Sequence, residues 1–149
     1  DHPDVSTRLN NLAMALRALG RASEAPPLYE RALAITEAVY GPDHPDVSTR
    51  LNNLAMALRA LGRASEALPL LQRSLAIDEA VYGPDHPDVS TDLNNLALAL
   101  RALGRTSEAL PLLQRSLAIT EAVYGPDHPD VSTRLNNLAL ALQDLGRTS

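Results

Sequence analysis

Three kinds of residue in this sequence offer chemistry, and all recur with one spacing. Histidine stands at His2, His44, His86 and His128, each between an aspartate and a proline. Paired asparagines stand at Asn10 and Asn11, Asn52 and Asn53, Asn94 and Asn95, and Asn136 and Asn137, and arginine at Arg17, Arg59 and Arg101, with Gln143 in the fourth place. The histidines invite a metal hypothesis, since acidic groups flank each one. The spacing argues against it: each loop supplies one His, and helices packed roughly 10 Å apart cannot bring such ligands within the few Å a metal requires. Capping and turn formation explain them better. Catalysis fares no better, because no Ser and His have a third partner arranged as a triad, no Gly-rich phosphate loop occurs, and the carboxylates are dispersed as caps and surface charges. The residues predict no enzyme, no metal and no cofactor.

What positions these side chains is a 42-residue unit written about three and a half times, as copies 1–42, 43–84 and 85–126 and a half copy 127–149. Asp1, Asp43, Asp85 and Asp127 open them, and the second and third copies differ only at Arg50/Asp92, Met56/Leu98, Ala64/Thr106 and Asp78/Thr120. A period of roughly 20 to 50 residues marks a solenoid, in which each unit buries its apolar face on its neighbours. Length therefore counts repeats, and 1–149 reads as a single array. It stops in mid-repeat and is read as a segment of a longer chain.

Composition removes several classes of function. Without cysteine there is no disulfide framework or thiolate site, and no run of about 18 apolar residues or charged-then-apolar leader suggests a membrane span or signal peptide. The net charge of −5 is spread evenly over the copies, so no basic arm is present for nucleic acid. The expectation is a soluble cytoplasmic protein with neither nucleic acid nor membrane as partner. All 13 cationic residues are Arg, a pointer to a GC-rich bacterial source or to a designed sequence.

Within the third copy, Val89, Leu93, Leu96, Leu100 and Leu103 recur at three and four, which predicts a helix over 87–103. Pro87 suits its first turn, Asp85 and Asp88 its positive end, and Gly104 a left-handed C-cap. Ser107 is expected to open a second helix, with Ala109, Leu113, Leu117 and Ala118 as its apolar face, Pro111 tolerated near its start, and Gly125 and Pro126 ending it. Across the chain this gives A helices near 3–19, 45–61, 87–103 and 129–145 and B helices near 23–39, 65–81 and 107–123, seven in all. Pro26 and Pro27 should loosen the start of the first B helix.

The run Leu93, Ala97, Leu100, Gly104, Ala109, Leu113 and Leu117 resembles the tetratricopeptide (TPR) signature. The period of 42, the LNNLA run, the long B helix and the GPDHPDV linker resemble the variety found in kinesin light chains. The resemblance implies an all-α, right-handed superhelical solenoid of antiparallel hairpins that acts as a protein-interaction scaffold. The sequence departs from the standard pattern in having Leu at most aromatic positions and continued helix at Glu121.

Helical-wheel geometry puts Thr91, Asn94, Leu98 and Arg101 opposite the apolar stripe. The resemblance implies that A helices line a concave surface, so the predicted peptide-binding residues are Asn10, Met14, Arg17, Thr49, Asn52, Met56, Arg59, Thr91, Asn94, Leu98, Arg101, Asn136 and Leu140. Asn can pair with an extended main chain, Arg with carboxylates, and Met or Leu with an apolar side chain, which suits an extended, acidic peptide. Asn11, Asn53, Asn95 and Asn137 flank the core and are expected to bond to a neighbouring helix or loop. The alternative is a structural, consensus-like element for spacing or self-assembly with no dedicated ligand. In the half copy, Leu135, Leu138, Leu142 and Leu145 have no B helix to cover them and predict self-association, first as a two-fold dimer, with domain exchange or end-to-end stacking as the fallback.

Overall fold

The histidine that opens each copy sets where each A helix begins. The computed structural model describes residues 2–148, with side chains through Gly146, and contains seven α-helices and no strand among those residues. The A helices are α1 (Pro3–Ala18), α3 (Pro45–Ala60), α5 (Pro87–Ala102) and α7 (Pro129–Thr148); the B helices are α2 (Ala25–Tyr40), α4 (Ala64–Tyr82) and α6 (Thr106–Tyr124). At each A helix the His Nδ1 accepts the N–H of the Asp two residues on, at 3.1, 3.0, 3.1 and 3.1 Å for His2, His44, His86 and His128. This satisfies one of the donors that a helix start leaves without an intrahelical partner, and the proline that follows has no N–H to satisfy. Tyr40, Tyr82 and Tyr124, at the ends of the B helices, stack on His44, His86 and His128 with ring centroids 4.5, 4.2 and 4.4 Å apart. The stack fastens the end of one hairpin to the cap of the next.

Glycine ends three of the A helices as expected. Gly104 has φ +75°, and Arg105 N–H then donates to Leu100 O at 2.8 Å, closing the left-handed cap; Gly20 and Gly62 do the same. Gly146 differs, since α7 runs through it to Thr148. Glycine permits the left-handed turn without requiring it.

The starts of the B helices differ from expectation. Ser107 lies inside the first turn of α6, where the N-cap is Arg105 and no side chain caps the backbone. The turn is instead held by Arg105, whose Nε and Nη2 donate to Glu108 at 2.6 and 2.8 Å. The same pair recurs as Arg21 with Glu24 and Arg63 with Glu66. Pro26 and Pro27 change the first B helix as predicted: two missing N–H groups leave a 3-10 turn over Ala22–Glu24 before α2 begins at Ala25. The apolar face of α6 is also rotated from the expected one. Ala118 is exposed, while Ser116, Ile119 and Thr120 are buried beside Ala109 and Leu113.

The chain divides into two compact units, one ending at Ile77 and one starting at Asp78, with the division inside α4. In the first, α1 packs on α2 and α2 on α3. Its core is formed by Leu9, Ala32 and Ile35 with Val5 and Leu28, and by Val47, Leu51 and Ile77 with Leu33 and Leu70. In the second, α5 packs on α6 and α6 on α7, over Val89, Leu93, Leu96, Leu100, Leu113 and Ile119.

Buried hydroxyls pin α1 to α2 and α5 to α6. Ser6 Oγ donates to Ala32 O at 2.8 Å and lies 2.7 Å from Thr36 Oγ1; Ser90 Oγ donates to Ser116 O at 2.9 Å and lies 2.8 and 2.7 Å from Ser116 Oγ and Thr120 Oγ1. Arg73 ties its B helix to the preceding one, donating to Glu37 at 2.9 Å and to Pro42 O at 3.0 Å, and Arg115 does so to Glu79 at 3.4 Å and Pro84 O at 3.0 Å.

Candidate functional site

The face predicted to carry the ladder of Asn, Met or Leu, and Arg can be followed within each unit, along α1 and α3 in the first and α5 and α7 in the second. The asparagines correct the helical-wheel placement. Asn10 and Asn94 are buried, at 6% and 5% exposure, rather than turned outward. Asn10 Oδ1 accepts from Asn53 Nδ2 at 2.8 Å, and Asn94 Oδ1 accepts from Asn137 Nδ2 at 2.9 Å. A wheel drawn around one apolar stripe counts the B helix as the only neighbour, whereas an A helix also meets the next A helix along its flank. Asn53 and Asn137 thus bond to a neighbouring helix, as expected of that set. Asn11, by contrast, is exposed, and Asn52 is half-buried, its Nδ2 donating to Ser74 Oγ at 2.9 Å. Asn136 alone of the outer set is exposed.

The apolar rungs stand partly open. Met14 is exposed, with Asn10 Nδ2 3.5 Å from its sulfur, and Met56, Leu98 and Leu140 are half-buried. Thr49 and Thr91 are exposed and donate back to Pro45 O and Pro87 O at 3.4 and 3.3 Å.

The arginines divide by unit. Among the described residues the Arg17 guanidinium has no hydrogen-bond or ionic partner, and Arg59 Nε is buried with none. Arg101, in contrast, donates from Nε and Nη2 to both carboxylate oxygens of Asp144, the second at 3.2 Å. That bond raises the Arg101 pKa above its ordinary value, with desolvation opposing it. The expected positive ladder of Arg17, Arg59 and Arg101 is therefore interrupted at Arg101, whose charge is neutralised within the protein.

At the C-terminal end Leu135 and Leu142 are exposed, at 48% and 51%, and Leu138 and Leu145 are half-buried. Leu93, at the position of Leu135 one copy earlier, is fully buried at 0%. Elsewhere the histidine Nδ1 atoms are taken up by capping, and among the described residues no group of three His, Cys, Asp or Glu could hold a metal. No helix there is long and apolar enough to cross a membrane.

Antiparallel helical hairpins with this cap, this glycine turn and this ladder define a helical-repeat protein of the TPR-like class. The Tetratricopeptide repeat family matches residues 4–80, 49–122 and 93–149, and the chain belongs to that family. The fold is similar to a crystal structure of nearly identical TPR-like repeats from a Podosopora anserina protein assigned as a kinesin light chain, with a TM-score of 0.89 and 30% identity over 98% of this chain and 69% of that one. It is also similar to BtubC (BKLC) from P. vanneervenii, with a TM-score of 0.87 and 25% identity over 98% and 59% of the two chains. The N-terminal domain of stress-induced protein-1 from C. elegans shares the fold at a TM-score of 0.64 and 14% identity, over 92% of this chain and 96% of that one. No curated protein matches at the sequence level. The chain is thus a TPR protein of the kinesin-light-chain-like type, and repeats of this family mediate protein–protein interaction and are generally non-enzymatic.

Proposed function

We propose that the chain is an interaction scaffold whose A-helix face holds an extended, acidic peptide. The observation that carries this is the Arg17 guanidinium in the first unit, which has no partner among the described residues, on a face that also exposes Met14 and Thr49. A ligand carboxylate would give the Arg17 fork the acceptor it lacks, whereas Arg59 Nε is buried and its side chain would have to turn outward to share one. In this reading Asn10 and Asn94 hold the A helices in register and Asn52 bonds to α4 through Ser74, while Met14, Thr49 and Met56 in the first unit, and Thr91, Leu98, Asn136 and Leu140 in the second, are the side chains left to meet a ligand. Anisotropy with fluorescein-labelled hexaglutamate and hexaglutamine tests it. Hexaglutamate should bind more tightly, lose affinity as salt rises, and lose it again in Arg17→Gln with Arg59→Gln. Equal affinity for both peptides at low salt sinks the acidic preference. Binding of neither favours a spacer element with no dedicated ligand.

A second reading rests on the exposed Leu135 and Leu142: the C-terminal face, with Leu138 and Leu145, associates with a second copy. Burying a Leu side chain is worth about 1.5–3 kcal/mol, so partial cover of four offsets part of the cost of association. Light scattering across a concentration series should show a dimer that Leu138→Asp with Leu142→Asp dissolves. A parent monomeric at every concentration rejects it.

A further inference from the structure

The same pair of A helices is built twice, and only one of the two pairs keeps its arginine available. In the first unit Asn53 donates to Asn10, and in the second Asn137 donates to Asn94, each across 43 positions and at 2.8 and 2.9 Å. Those bonds fix the same register of one A helix on the other. In that register the residue facing Arg101 is Asp144, also 43 positions on. The residue that faces Arg17 by the same count is Ala60, which is exposed and offers no charge. Every complete copy has alanine there, at Ala18, Ala60 and Ala102, and the half copy alone has aspartate.

The pair is not placed where it would add much stability. The Arg101 and Asp144 side chains keep 30% and 26% of their surface exposed, and an ion pair open to water contributes little to stability. Its larger consequence is chemical. Asp144 presents both oxygens of a carboxylate to the fork of an arginine on the proposed ligand face, which is the arrangement an acidic ligand side chain would have to make.

We propose that Asp144 is a built-in competitor: its carboxylate fills at Arg101 the position that a ligand carboxylate takes at Arg17, so the acidic residue of a peptide is read at α1 and α3 and refused at α5 and α7. This rests on the acidic-peptide reading above and adds which of the two pairs does the reading. Asp144 is then a specificity-determining residue that acts through Arg101. The second pair retains Leu98, Leu140 and Thr91 beside an arginine that is already paired.

The experiment exchanges the two positions and watches the arginines directly. Parent, Asp144→Ala and Ala60→Asp are titrated with hexaglutamate while the Arg17 and Arg101 Nε–H signals are followed by NMR, with circular dichroism to verify equal helicity. In the parent, Arg17 should shift and Arg101 should not. Asp144→Ala should make both shift and tighten binding about three- to fivefold, the range of one partly exposed ion pair. Ala60→Asp should silence Arg17 and weaken binding by a similar factor. If Arg101 shifts in the parent as Arg17 does, or if Asp144→Ala leaves Arg101 silent while Arg17 responds, Asp144 is no competitor and the acidic-peptide reading survives alone. If neither arginine shifts in any variant, both proposals fall together.

Discussion

The first and second units carry nearly the same sequence and the same inter-helix asparagine bond, yet they treat their charged side chains differently. Arg50 in the first reaches the preceding A helix, its Nε donating to Ser6 Oγ at 3.2 Å and its Nη2 to Thr7 Oγ1 at 3.4 Å. Its counterpart in the second, Arg134, has a buried Nε with no partner, and burial pushes its pKa down against a smaller opposing pull from Asp130. Among the described residues Arg17 stands without a partner where Arg101 is held by Asp144. The repeat therefore guarantees a backbone and a skeleton of contacts, while single substitutions decide how much charge the face presents.

The largest contrast is between Leu93 and Leu135, one position in two copies. Leu93→Ala leaves a cavity under α6 and should cost about 2–5 kcal/mol, whereas Leu135→Ala removes a half-exposed side chain and should cost less than about 1.5 kcal/mol at concentrations where the protein is monomeric. Urea midpoints of the two variants measure the difference, and equal losses would mean that α7 is covered in solution.

Next come the buried polar contacts. Ser90→Ala should cost about 1–3 kcal/mol by leaving Thr120 and Ser116 short of a partner, and Ser6→Ala a similar amount through Thr36. Asn94→Ala should likewise cost about 1–3 kcal/mol, because Asn137 loses its acceptor. A double-mutant cycle of Asn94→Ala with Asn137→Ala reads the bond itself, and zero coupling would break the claim that these asparagines set the register.

Arg50 and Arg134 sharpen the comparison with opposite signs. Arg50→Met should destabilise by about 1 kcal/mol, while Arg134→Met should be neutral or stabilising, since it removes a desolvated group whose Nε bonds to nothing. Thermal melts at fixed concentration suffice, and a loss in both would put Arg134 in contacts equal to those of Arg50.

The smallest effect expected is at the hairpin turns. Glu24, Glu66 and Glu108 are held below the usual carboxylate range, first by their hydrogen bonds to Arg21, Arg63 and Arg105. A depressed folded-state pKa stabilises the fold above the unfolded value and loses that contribution as pH falls through the folded one. These groups are fully exposed, so the readout is the titration itself: carboxyl carbon NMR should place all three midpoints below that of an unstructured glutamate, and Arg105→Ala should return Glu108 alone.

The period of 42, the prolines after each histidine, the glycines after each leucine stripe and the apolar spacing were enough to place six helices within a residue or two, and the seventh apart from its end at Thr148, and to assign the family. Those features act locally: a proline fits a first turn, a glycine a left-handed cap, and a stripe one buried face, whatever lies beyond. The stripe of leucines in the half copy was legible too, and Leu135 and Leu142 are exposed. What it did not disclose depends on residues about 26 to 44 positions apart, as in Ser6 to Ala32 or Arg50 to Ser6. The burial of Asn10 and Asn94 required knowing that an A helix has a neighbour on its flank as well as beneath it. Pairing Asp144 with Arg101 required the register that those asparagines set. Ser116 and Thr120 look like surface residues in the sequence because a hydroxyl is polar until a second hydroxyl and a carbonyl satisfy it, and only the packing of one helix on another supplies them.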